Sequence, residues 1–193
     1  MWLTFLNHLK GKIIKKFMNY NKLISLLEDS NNKIIPIIKN KDDVDKLSYD
    51  PPLIEFVLRE DDSKSKILEV KSGKLAAGTI LSIEDAEFCI NNDINIMFSP
   101  HFDINLLKYC MDNDSILIPG VITPSEIMEA YNNGVKIVKY FPAKDNINSL
   151  KQYSDVFSKL NIKFIPTGGI SVDNINDFLS IDNVIAVGSS SIK

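Results

Sequence analysis

Lys139 lies in the run Val135-Lys136-Ile137-Val138-Lys139-Tyr140-Phe141, where period-two alternation puts Ile137, Lys139 and Phe141 on one face of a strand. If that face looks inward, the ammonium loses water, and a desolvated lysine sheds its proton more readily. The free amine is the species that attacks a carbonyl to form a Schiff base. If the face looks outward, Lys139 is an ordinary strand lysine that snorkels to solvent, as Lys136 does at the start of the same run.

A second run, Leu53-Ile54-Glu55-Phe56-Val57-Leu58-Arg59, places Glu55, Val57 and Arg59 on one face and Ile54, Phe56 and Leu58 on the other. The apolar set belongs under a covering layer, which turns Glu55 and Arg59 inward. Four residues at ~3.3 Å separate them by about 13 Å, which suits opposite ends of a pocket better than a direct pair. An inward carboxylate can move protons and an inward guanidinium can clamp a carboxylate, although both also fit a structural polar layer. Arg59 is the sole arginine beside 21 lysines. A chain that writes its surface cations as lysine has reason to keep one planar, bidentate donor, though chance also produces a single arginine.

Glycine-containing turns follow two further apolar runs: Pro166-Thr167-Gly168-Gly169-Ile170-Ser171 and Gly188-Ser189-Ser190. Such turns let backbone N–H groups approach a phosphate, and they also serve as plain turns. Ala77-Gly78-Thr79 and Ser99-Pro100 end two more runs and can line the same mouth. Neither histidine is well placed as an acid or base; His101, after Ser99-Pro100, is the better of the two, and His8 lies near the start of the chain. No Ser-His-Asp order, metal-ligand cluster, Walker loop or dinucleotide fingerprint is present.

Eight apolar runs bounded by turn signals must position these residues: Lys33 to Ile38, Leu53 to Arg59, Lys74 to Leu81, Ile94 to Pro100, Ser115 to Val121, Val135 to Phe141, Ile162 to Gly169 and Val184 to Ser190. Most are apolar on both faces, the mark of parallel strands covered on each side. Helical stretches intervene at Ile83 to Asn92, Phe102 to Asp112, Pro124 to Asn133, Ile147 to Leu160 and Val172 to Leu179. Thr123 before Pro124 reads as an N-cap with proline at the first helical position. The alternation predicts a compact α/β (β/α)8 TIM barrel over residues 31–193, with shortened covering segments after strands 1 and 2 and no final helix; a doubly wound open sheet is the alternative. Residues 1–30 form a lead-in segment in which apolar positions 2, 5, 6, 9, 13, 14 and 17 recur at helical spacing, expected to pack on the domain rather than on a membrane.

The 193 residues, 45% hydrophobic and 24% charged with a net charge of -3, fit one globular domain and speak against disorder or a nucleic-acid module. Cys89 and Cys110 match neither a disulfide framework nor metal-ligand spacing, and no run is long enough to span a membrane. A reducing, cytoplasmic setting follows as the expectation.

The ordered blocks Ile54-Glu55-Phe56-Val57-Leu58-Arg59, Ala77-Gly78-Thr79, Phe98-Ser99-Pro100, Leu117 through Glu126, Lys139-Tyr140-Phe141-Pro142-Ala143 and Pro166 through Ser171 resemble the 2-keto-3-deoxy-6-phosphogluconate (KDPG) aldolases, from about Ile34 to Ser190. The resemblance implies a class I aldolase barrel, a homotrimer, that cleaves KDPG to pyruvate and glyceraldehyde 3-phosphate; many members also convert 2-keto-4-hydroxyglutarate to pyruvate and glyoxylate. It implies that Lys139 forms the Schiff base and that Glu55 transfers protons through water. It assigns Arg59, Thr79 and Thr167 to the substrate carboxylate, Pro100 and Phe141 to the pocket wall, and Gly168, Gly169 and Ser190 to the phosphate. No metal or organic cofactor is implied, because the protonated imine is itself the electron sink. The implied partners are small 2-keto acids and sugar phosphates.

The chain departs from the family pattern where Gly-Gly-Ser becomes Gly188-Ser189-Ser190. A positive φ at position 189 would strain serine and weaken phosphate binding, favouring an unphosphorylated 2-keto acid. Two other readings compete: a sugar-phosphate epimerase or isomerase, which needs no inward lysine at this place, and a non-catalytic binding barrel.

Overall fold

The computed structural model describes residues 20–192; the amphipathic run from Met1 to Phe17, with His8, lies outside the described residues. Short runs rich in isoleucine and valine form the strands β1 (Ile34–Ile38), β2 (Ile54–Val57), β3 (Leu75–Gly78), β4 (Ile96–Phe98), β5 (Ile116–Ile118), β6 (Gly120–Val121), β7 (Ile137–Tyr140), β8 (Lys163–Pro166) and β9 (Val187–Ser189). Residues 20–28 are helical (α1). The later helices are α2 (Ser63–Ile67), α3 (Ile83–Asn91), α4 (Ile104–Asp112), α5 (Pro124–Asn132), α6 (Ile147–Val156) and α7 (Ile175–Leu179). Their starts are written locally. Ser82 and Asp103 accept hydrogen bonds from the first turns of α3 and α4, and Thr123 forms a reciprocal capping box with Glu126 ahead of Pro124.

The closed eight-stranded barrel expected from the sequence does not form. The ladders instead make a curled six-stranded parallel sheet, β5-β4-β3-β2-β1-β9, and a separate three-stranded parallel sheet, β6-β7-β8. Pro119 explains one break. Having no N–H to donate, it splits the expected fifth strand, so Ile116–Ile118 pairs with β4 while Gly120–Val121 pairs with β7. Across the other seam β8 meets the last strand segment only at the isolated bridges Phe164↔Val184 and Thr167↔Gly188. The connection from β1 to β2 carries a single 3-10 turn (Lys41–Asp43), and α2 between β2 and β3 is five residues long.

Alternation along the strands feeds two cores. Ile38, Phe56, Val138, Tyr140 and Phe164 point outward under the helices. Ile35, Ala76, Ile137 and Ile165 point into the space between the sheets, where Tyr20, Leu23 and Leu27 of α1 close its lower end. The Tyr20 hydroxyl donates to the Leu117 carbonyl at 2.8 Å, which satisfies the one polar atom the plug brings inside.

Candidate active site

Two residues beyond Ile137 on the same inward face of β7 stands Lys139, 5% exposed. Its Nζ lies 2.8 Å from Oε1 of Glu55, 1% exposed, on β2 of the other sheet, so the ion pair bridges the two sheets. The rings of Phe98 and Phe141 flank the ammonium at 5.5 and 5.6 Å from their centroids. Two charges so deeply buried stabilise each other but cost desolvation, and removing either one strands the other. Gly78 makes the pair possible: a Cβ there would overlap the Glu55 carboxylate. The glycine of Ala77-Gly78-Thr79 is therefore required for space beside residue 55.

Above the pair a cavity of about 430 Å³ opens at the C-terminal ends of the strands. Lys139, Arg59, Phe141 and Thr167 line it, with Gly168, Gly169 and Ser190 on the rim. Glu55 sits behind Lys139. Arg59, just past β2 and exposed, donates from Nε to Oγ1 of Thr79 at 3.2 Å, so Thr79 joins the site through the guanidinium. Gly168 (φ 94°) and Gly169 (φ 75°) adopt left-handed backbone, which opens the β8 turn toward the cavity. Pro100 does not line the cavity; it packs beside Gly120, where a Cβ would collide with the Pro100 carbonyl. His101 is exposed and contacts Ser99, away from the cavity lining.

Ser189 is not in left-handed backbone, so the condition under which serine would be strained at this position is not met. It ends β9 with its hydroxyl donating to the Ile170 carbonyl at 2.7 Å, tying the β9 end to the β8 turn. The cavity also includes Lys39, Asn40 and Asp43 from the segment after β1, which the sequence reading had not singled out. The signal was present: alternation through Ile35 and Ile37 continues to Lys39.

A buried amine touching a buried carboxylate, beneath a cavity flanked by one arginine and glycine turns, is the equipment of an imine-forming carbon–carbon lyase. Comparison with known proteins gives the same class. The KDPG and KHG aldolase family model matches residues 29–193. A 2-dehydro-3-deoxy-phosphogluconate aldolase of Haemophilus influenzae is 30% identical over 171 residues, 82% of this chain and 80% of that protein. Its counterpart from Pseudomonas aeruginosa is 34% identical over 119 residues, 61% of this chain and 53% of that protein. Among solved structures, a Legionella pneumophila KDPG aldolase with pyruvate captured as a covalent carbinolamine superposes with a TM-score of 0.76 at 28% identity, covering 87% of this chain and 86% of the other. The chain belongs to the KDPG and KHG aldolase family.

Proposed function

We propose that the protein is a class I aldolase that cleaves KDPG to pyruvate and glyceraldehyde 3-phosphate through an imine on Lys139, and that it handles 2-keto-4-hydroxyglutarate by the same steps. The observation that carries the reading is the buried 2.8 Å contact between Lys139 Nζ and Glu55 Oε1 at the floor of the cavity. Lys139, after passing its proton to the Glu55 carboxylate, adds to the C2 ketone; Glu55 returns that proton to the carbinolamine hydroxyl, which leaves as water and gives the protonated imine with Glu55 again ionised. A water held by Glu55 takes the C4 hydroxyl proton as the C3–C4 bond breaks. The bonding pair flows into the imine to form an enamine, and the aldehyde leaves. Protonation at C3 and hydrolysis then release pyruvate and restore the amine.

Arg59 and Thr79 hold the substrate carboxylate with Thr167, while Phe141 keeps the surroundings of the imine apolar. Gly168, Gly169 and Ser190 receive the phosphate, a role supported by their place on the rim of the cavity, where two left-handed glycines let a ligand approach the backbone closely. The working unit is a homotrimer, which the mass of the protein in solution tests. The reaction belongs to the cytoplasm, a setting supported by two buried, unbridged thiols, Cys89 and Cys110, and no described helix is long and apolar enough to cross a membrane. The activity is tested by following pyruvate release from KDPG. Release that Glu55→Gln slows by about 10²-fold or more is the expected result, and no release from folded protein contradicts the reading.

A further inference from the structure

A second opening lies at the end of the molecule away from the active site. It is a groove of about 630 Å³ between α1 and the starts of β4 and β5, lined by Lys22, Leu23 and Leu26 of α1 and by Ile96, Asp114 and Ile116. One flank of α1 is committed: Tyr20 and Leu27 enter the interior core, and Glu28 meets Lys163 Nζ at 2.8 Å. The other flank faces the groove and leaves Leu26 48% exposed. Gly73, also on the groove, adds to the opening, since a Cβ there would meet nothing within 4 Å. The strand-start end of the groove is acidic. Asp114 lines it, and the exposed Asp93 and Asp112 each stand two residues ahead of a lining residue, Asn95 and Asp114, against the single cation Lys22.

The sequence directly ahead of α1 has the matching chemistry. At helical spacing Ile13, Ile14 and Phe17 share one face, and Lys12, Lys15 and Lys16 share another. Reach does not limit contact. At ~3.5 Å per extended residue, Phe17 stands within about 10 Å of Tyr20 and Ile13 within about 25 Å. Leu23 and Leu26 lie only about 4.5 and 9 Å along the axis of α1 from Tyr20. A segment tethered this closely meets the groove at an effective concentration of roughly millimolar, far above that of a second copy of the chain in dilute solution.

We propose that residues 10–17 fold back along α1 and occupy this groove, with Ile13, Ile14 and Phe17 seated against Leu23 and Leu26 and the lysines turned toward Asp93, Asp112 and Asp114. The segment covers the apolar flank that α1 otherwise presents to water. Its charges complement the acidic end across distances at which screening by salt is incomplete. It braces the helix that plugs the interior and takes no part in the reaction.

Limited trypsin digestion of the full chain tests the proposal without turnover, because cleavage after Lys12, Lys15 and Lys16 follows the fraction of molecules in which the segment is off the groove. Leu26→Gln, on the groove side, is expected to speed cleavage at these bonds about tenfold while the lysines of the sheets and later helices are cut no faster. Ile14→Gln, which lies outside α1 and leaves the plug intact, is expected to do the same. Equal cleavage in wild type and both variants overturns the proposal. Protection that disappears on dilution also overturns it, since a second copy then fills the groove, as does protection that appears only when phosphatidylserine vesicles are added, which makes the segment a membrane face.

Discussion

The two ends of the interior are built from the same strands and do opposite things. At the lower end Ile35, Ile137 and Ile165 meet Leu23 and Leu27 of α1 in a buried apolar core. One inward step up the same strands, the positions become Ile37, Lys139 and Thr167 and line an open cavity. A strand advances about 6.6 Å over two residues, so the change from packing to chemistry takes place within one layer of side chains. Rigidity and function are thus neighbours, and the plugged end holds the strands that aim Lys139 and Glu55 at each other.

The contrast is broken most severely at the upper end. Lys139→Ala should lower KDPG cleavage by about 10⁴-fold or more, because the nucleophile is gone. It should also destabilise the fold by about 3 kcal/mol in chemical denaturation, since Glu55 is left as a buried unpaired charge. Pairing Lys139→Met with Glu55→Leu should recover that stability while activity stays lost. Gly78→Ala should lower kcat by about 10²-fold by pushing the Glu55 carboxylate off Lys139, a displacement visible in a crystal structure of the variant.

At the lower end the pattern reverses. Leu27→Ala should cost about 3 kcal/mol of stability with kcat per folded molecule nearly unchanged. Burial pushes the Tyr20 phenol well above its usual value of 10.0. Above about pH 10 the unfolded chain sheds this proton while the folded one keeps it, so stability falls as pH rises, and Tyr20→Phe should flatten that alkaline loss in melts between pH 9 and 11. The smallest effect concerns the outer core: burial pushes the Cys89 and Cys110 thiols up to about 12, so neither should react with a thiol reagent in native protein at pH 8.

What the sequence made legible was whatever depended on near neighbours. Alternation grouped Lys139 with Ile137 and Phe141 and turned Glu55 inward, while the direction of the Lys139 face stayed open, and Thr123-Pro124 with Glu126 marked a helix start that formed as a capping box. Properties set by distant residues escaped. Gly78 must lack a Cβ because of a carboxylate 23 positions earlier in the chain, and nothing local to Ala77-Gly78-Thr79 announces it. The expected fifth strand concealed a sheet break because Pro119 was read through as part of one apolar run, and a continuous run does not say which neighbour each half will pair with. Strain at Ser189 hinged on a φ that its neighbours in sequence do not reveal; the residue finishes a strand and uses its hydroxyl as a tie to Ile170.

The central claim, that the buried amine of Lys139 is the group that forms the imine, is tested most directly by borohydride reduction in the presence of pyruvate, followed by peptide mass spectrometry. A reduced pyruvyl adduct on Lys139, absent from Lys139→Ala and from the other lysines, is the predicted result. No adduct on folded protein, or an adduct spread over surface lysines with Lys139 unmodified, would contradict it.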